Sequence, residues 1–217
     1  VKVRPDHVYV IPPTSYLVMD DGHIRLTEPQ RVRGQRLQID LFFRTLAEAY
    51  GPEAVAVVLS GSGSDGTLGL QRVKENGGFT VVQDPDEAEY DSMPRSALKT
   101  GLIDLVLPVA QIPVKLERIL KRPPQLEELV VPENPDTLEY SALVWDEFQS
   151  SDADPAERGE LGMLQVLKLV RERTGHDFSF YKRPTLGRRI ARRLQVHELP
   201  DLHAYLELLR SDPAEMT

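Results

Sequence analysis

The chain has 217 residues, 41% of them hydrophobic, with 26 Lys and Arg against 34 Asp and Glu, a formal charge of -8. That balance argues against general nucleic-acid binding, which needs a basic face to displace counterions from phosphate, and the absence of cysteine excludes disulfides and thiolate metal sites. No apolar run approaches the roughly 20 residues of a bilayer span, and the opening VKVRPD is not a signal sequence, so a cytoplasmic protein without membrane insertion is expected.

Val1 stands directly before a strand and is not Met, which predicts a piece of a longer product. HVYVI (residues 7 to 11) reads as a strand, and YLVMDDGHIRLT as a hairpin turning at Asp21-Gly22. Ile39 to Tyr50 repeats apolar residues at three and four and predicts an amphipathic helix closed near Gly51. The order then runs strand Ala54 to Leu59, helix Thr67 to Asn76, strand Phe79 to Gln83, helix Pro94 to Lys99, strand Asp104 to Leu107, helix Gln111 to Leu120. Strand, glycine turn and helix in alternation predict an α/β fold, a doubly wound, mostly parallel sheet, over residues 1 to 120.

Residues 121 to 160 are rich in Pro and acids and read as a solvated linker. Within it, Thr137 to Phe148 could form a short helix docked through Trp145 and Phe148. From residue 161 the periodicity is helical only. A stripe of Leu161, Leu164, Val166, Leu167 and Val170 ends near Gly175, and Leu186 to Gln195 and Leu202 to Leu209 add two helices, giving a small all-α domain over 161 to 217.

Two features carry chemistry. The first is AVAVVLSGSGSDGTLGL (Ala54 to Leu70), which places Asp65 on a glycine turn at the carboxyl end of a buried strand, where ligands collect in open α/β sheets. Asp65 either caps the helix that follows it or orients a histidine as the third member of a Ser-His-Asp arrangement. A phosphate loop is weaker, because no Lys-Ser or Lys-Thr pair follows the glycines. The second is TLGRRIARRL, in which Arg188, Arg189, Arg192 and Arg193 form a cationic stripe around Ile190 and Leu194. Such a stripe is either a solvated face or a docking face for a negatively charged partner. His7, His23, His176, His197 and His203 each lack a motif-defined partner and are weak candidates for a catalytic base or a metal ligand.

HVYVIPP, SGSGSDGTLGL, GGFTVVQDP, SMPRSAL and GLIDLVLP follow the order and spacing of the chemotaxis receptor methylesterase (CheB) catalytic domain. The chain resembles the carboxyl-terminal half of that domain over about residues 1 to 120. The resemblance implies that Asp65 is the triad aspartate, with Ser and His partners upstream of Val1. It also implies that Ser62, Gly63, Met93 and Pro94 border the active site. Ser60 and Ser62 depart from the usual TGMGxDG form, where Thr and Met are common.

Thr174 to Glu215 resembles the amino-terminal helical domain of the chemotaxis receptor methyltransferase (CheR), with its pattern TG.DF..YK..T..RRI.RR. That resemblance implies that Arg188, Arg189, Arg192 and Arg193 face the acidic methylation helices of a chemoreceptor. It implies S-adenosylmethionine for a catalytic domain beyond Thr217, and no cofactor for this chain itself. Together they imply a bifunctional protein that forms and hydrolyses glutamyl methyl esters, the alternative being a non-catalytic receptor-binding adaptor.

Overall fold

A computed structural model describes residues 1–13, 15–28, 37–121, 155–178 and 181–216. Its contacts divide the chain into Val1–Leu116 and Glu117–Thr217. The suggested helix at Thr137 to Phe148, with Trp145, lies outside the described residues.

The first unit begins with an antiparallel hairpin, β1 (Tyr16–Asp20) and β2 (His23–Thr27), with Asp20 opposite His23. Asp21 and Gly22 both hold positive φ, 45° and 68°, as the predicted two-residue turn requires. HVYVI forms no strand. Its segment lacks a ladder partner among the described residues, and Val8 and Val10 are 92% and 84% exposed. A strand takes its backbone hydrogen bonds from a neighbour, so the alternating pattern alone does not create one.

Three parallel strands form the sheet, β3 (Val55–Val58), β4 (Phe79–Gln83) and β5 (Leu105–Leu107), in the order β3-β4-β5. β4, Phe-Thr-Val-Val-Gln, is buried along its whole length as expected of a central parallel strand, its polar Thr80 and Gln83 included. The order runs one way, without reversal among the described strands. β4 and β5 are also tied by Asp104, whose side chain is 1% exposed, accepts both the Thr80 amide and hydroxyl at 2.9 Å, and pairs with Lys74.

Helices α1 (Gln38–Tyr50), α2 (Thr67–Glu75) and α3 (Ser92–Leu98) accompany the sheet, and α4 (Ile112–Lys121) spans the boundary between units. Phe43 and Ala47 of α1 join Leu70 and Val73 of α2 and Ala56, Val58 and Val82 of the strands in one core. α1 and α2 meet at Gly69, where an added Cβ would stand 2.6 Å from the Phe43 Cβ and 3.0 Å from the Asp40 Cα. Gly69→Ala is therefore expected to cost about 1–3 kcal/mol by overpacking, measured by chemical denaturation. An unchanged midpoint would show that the helices separate freely.

The second unit holds α5 (Pro155–Thr174), α6 (Arg183–Val196) and α7 (Leu202–Ser211). α5 begins inside the stretch read as linker. Pro is suited to a first helical position, and Ala, Glu and Arg after it favour helix despite the acidic, Pro-rich surroundings. Met163, Val166, Ile190, Leu194, Leu206 and Leu209 are buried together. Asp201 caps α7 by accepting the Ala204 amide at 2.9 Å, and Arg173 of α5 donates to the Leu209 and Arg210 carbonyls at its far end.

Candidate active site and basic helix

β3 ends at Val58 and the chain enters the loop Ser60 to Gly66, where Gly63 and Gly66 take positive φ of 92° and 97°. The loop is clamped to Tyr90 and to the first turn of α3. Gly61 N–H donates to the Tyr90 carbonyl at 2.9 Å, Met93 N–H to the Gly61 carbonyl at 3.0 Å, and Gly63 N–H to Ser92 Oγ at 2.9 Å. Ser60 Oγ accepts the Tyr90 amide at 2.9 Å. Ser62, Gly63 and Met93 are thus brought to one place, with Met93 Sδ lying against Gly61. Ser62 is exposed, Met93 is half-buried, and Pro94 is fully buried at the third position of α3.

Asp65 does not cap the helix that follows it. Its Oδ2 accepts the Ile39 amide at 3.1 Å and its Oδ1 the Asp40 amide at 3.0 Å, so it caps α1 instead. The N-terminus of α1 needs this, because the flanking residue is Leu37, which offers no side-chain acceptor. Each Asp65 oxygen has taken one amide, and an ionised carboxylate has about four acceptor positions, so a further N–H donor fits chemically. Asp65 is only partly buried.

The reciprocal contact comes from Asp40, in the first turn of the amphipathic helix α1. Its Oδ1 accepts the Gly69 amide, the third of α2, at 2.7 Å, and α2 is itself preceded by Gly66, which has no side chain. Burial pushes the Asp40 carboxyl above the usual carboxylate range, and the Asp65 charge adds to this against the amides of Gly69, Gly66 and Leu68. The sequence signal was an acid in the first turn of a helix with no cap of its own. A cleft of about 640 Å³ is lined by Tyr16, Val18, Asp40, Arg44, Leu68 and Arg72, among others. Asp65 is not among its lining residues.

In the first unit, neither His7 nor His23 hydrogen-bonds to Asp65 or to the Ser60 to Gly66 loop. His7 and His23 each contact a carbonyl two residues before them at 2.7 Å, and His197 meets Glu215 at 3.0 Å. No group of three or more His, Asp or Glu suited to a metal ion occurs among the described residues, and no helix among them is long and apolar enough to cross a membrane.

In α6, Ile190 and Leu194 turn into the core while Arg188 and Arg189 are exposed. Arg192 is half-buried and donates to Gln195 at 3.1 Å. Arg193 does not join an outward stripe. It grips Glu215 through Nε at 2.5 Å and again through Nη2, and His197 and Tyr205, the latter at 3.2 Å, contact the same carboxylate. The Glu215 side chain is 3% exposed. Burial would raise its carboxyl, but Arg193 and His197 outweigh that and hold it below the usual range. Burial and the Glu215 charge push the Tyr205 phenol up.

These features define a two-module protein, a parallel α/β domain with an acid-bearing glycine loop joined in sequence to a helical domain with a basic helix. A family model described as CheB methylesterase matches residues 1–116, and the chain belongs to that family. Residues 162–217 match a second model, described as CheR methyltransferase, all-alpha domain.

An "Uncharacterized 104.1 kDa protein in hypE 3'region" of Rhodobacter capsulatus is 40% identical over 100% of this chain, which spans 22% of that protein. A putative protein-glutamate methylesterase/protein-glutamine glutaminase of Leptospira interrogans is 40% identical over 51% of this chain and 58% of its own length. The crystal structure of the Thermotoga maritima CheB methylesterase catalytic domain aligns with TM-score 0.50 and 32% identity, over 54% of this chain and 64% of that one. The chain therefore spans only part of each of these relatives.

Proposed function

We propose that this chain is part of a chemotaxis adaptation protein that both hydrolyses and forms glutamyl methyl esters on chemoreceptors. The occurrence of a methylesterase-family domain and a methyltransferase all-α domain in one chain carries this reading. The substrate of one module is then the product of the other, and joining them raises the effective concentration of each at the same receptor.

In the hydrolysis, a serine contributed from outside this chain attacks the ester carbonyl, a histidine takes its proton and passes it to the departing methanol, water then releases the glutamate, and Asp65 fixes the histidine tautomer and stabilises its cation. Its place at the carboxyl end of β3, with its carboxylate held by two amides, supports that role. In this proposal Ser62, Gly63 and Met93, held together by the clamp between the glycine loop and α3, flank the reacting ester. S-adenosylmethionine belongs to a methyltransferase domain not contained in this chain. The test is methanol release from a methylated receptor by the whole protein, and no release above the uncatalysed rate would favour the adaptor reading.

Arg188 and Arg189, with Arg192 beside them, form the receptor-docking face in this proposal, the exposed pair meeting acidic methylation helices. Arg188→Glu with Arg189→Glu is expected to weaken association with receptor fragments about tenfold at low salt, an effect that shrinks as salt screens it. Equal binding of wild type and variant at low ionic strength would remove the role.

A further inference from the structure

We propose that Asp40 is a positioning residue for Asp65 in ester hydrolysis, an inference that rests on Asp65 being the carboxylate behind the catalytic histidine. Asp65 takes both its amide donors from α1, so the place where α1 begins decides where its oxygens lie. The Asp40 side chain ties that end of α1 to α2, through the Gly69 amide. The contacts close a ring: the Asp40 amide donates to Asp65, the Asp40 carboxylate accepts from Gly69, and the backbone returns from Gly69 to Asp65. Each carboxylate caps the helix that carries the other or follows it.

The ring is tight because glycines permit it. An added Cβ at Gly66 would stand 2.8 Å from the Ile39 Cγ2, and one at Gly69 would strike Phe43. Neither helix has a cap from its own flanking residue, so loss of the Asp40 acceptor leaves the Gly69 amide without that bond and removes the polar tie between the start of α1 and α2. The Asp65 carboxylate then moves relative to β3 without being altered itself. Displacement of a catalytic group by about 1 Å can cost about 10²-fold in rate, so this second carboxylate governs the reaction without touching the substrate.

Methanol release by the whole protein, measured well below each melting midpoint, tests this with three variants. Asp40→Ala is expected to lower kcat about 10–100-fold with KM nearly unchanged. Asp40→Asn keeps an acceptor for the Gly69 amide and is expected to recover most of kcat. Asp40→Glu keeps the charge but carries its oxygens one methylene too far, and is expected to fall with the Ala variant. Wild-type kcat in Asp40→Ala or Asp40→Glu, with only the melting midpoint lowered, would overturn the proposal. So would failure of both to fold beside a fully active Asp40→Asn. Asp65→Asn separates this from the underlying reading: if that variant retains full activity, the triad role itself fails whatever Asp40 does.

Discussion

Asp65→Asn should reduce methanol release from methylated receptor by about 10⁴-fold, the scale seen when a triad aspartate becomes an amide and the histidine settles in the wrong tautomer. The substitution keeps size and shape but leaves one acceptor oxygen where there were two. One of the Ile39 and Asp40 amides then faces an NH₂ group, so α1 loses part of its cap. That costs about 0.5–2 kcal/mol, too little to unfold a domain of ordinary stability. Rate and stability must therefore be read together. A large rate loss at a temperature where the variant stays folded assigns chemistry to Asp65, whereas a lowered melting point with an unchanged rate assigns it to helix capping alone.

The second large effect falls on stability. Glu215→Ala should destabilise the helical domain by about 3 kcal/mol, the low end for breaking a buried ion pair, because Arg193 keeps some water. The Arg193 side chain is 33% exposed, while the lost Glu215 side chain is 3% exposed. The same carboxylate predicts the acid response. Its folded pKa lies below its ordinary 4.5, so its contribution is present above about pH 4.5 and is lost as pH falls through the depressed value. Melting followed by helical circular dichroism in the whole chain checks both. A melting transition for Glu215→Ala equal to wild type, or no extra acid sensitivity in wild type over Glu215→Gln, would show that the cluster contributes nothing.

How far the sequence reaches is clearest at α1 and α6. The helical period of Ile39 to Tyr50 and the buried run of β4 follow from local chemistry, since both depend only on which neighbours a side chain meets along one element. The Asp21-Gly22 turn is legible for the same reason. Asp65 was legible as the residue to explain, but the helix it caps was not, because its amide donors stand 25 and 26 residues away. In α6 the spacing showed four arginines on one helix, while the identity of the one held inward depended on a carboxylate 22 residues later. HVYVI failed for the converse reason, since its alternation was correct for a strand that finds no partner among the described residues.

Periodicity, turn chemistry and the ordered blocks of motif thus determined, from the sequence by itself, a parallel α/β domain followed by a helical one and the place of an acid on a strand-end loop. Only the tertiary structure decided that Asp65 and Asp40 exchange helix ends, and that Arg193 faces Glu215 while Arg188 and Arg189 face solvent. The physical reason is that a hydrogen bond or ion pair is selected by proximity in space, and residues far apart in the chain acquire that proximity only when the helices that carry them pack.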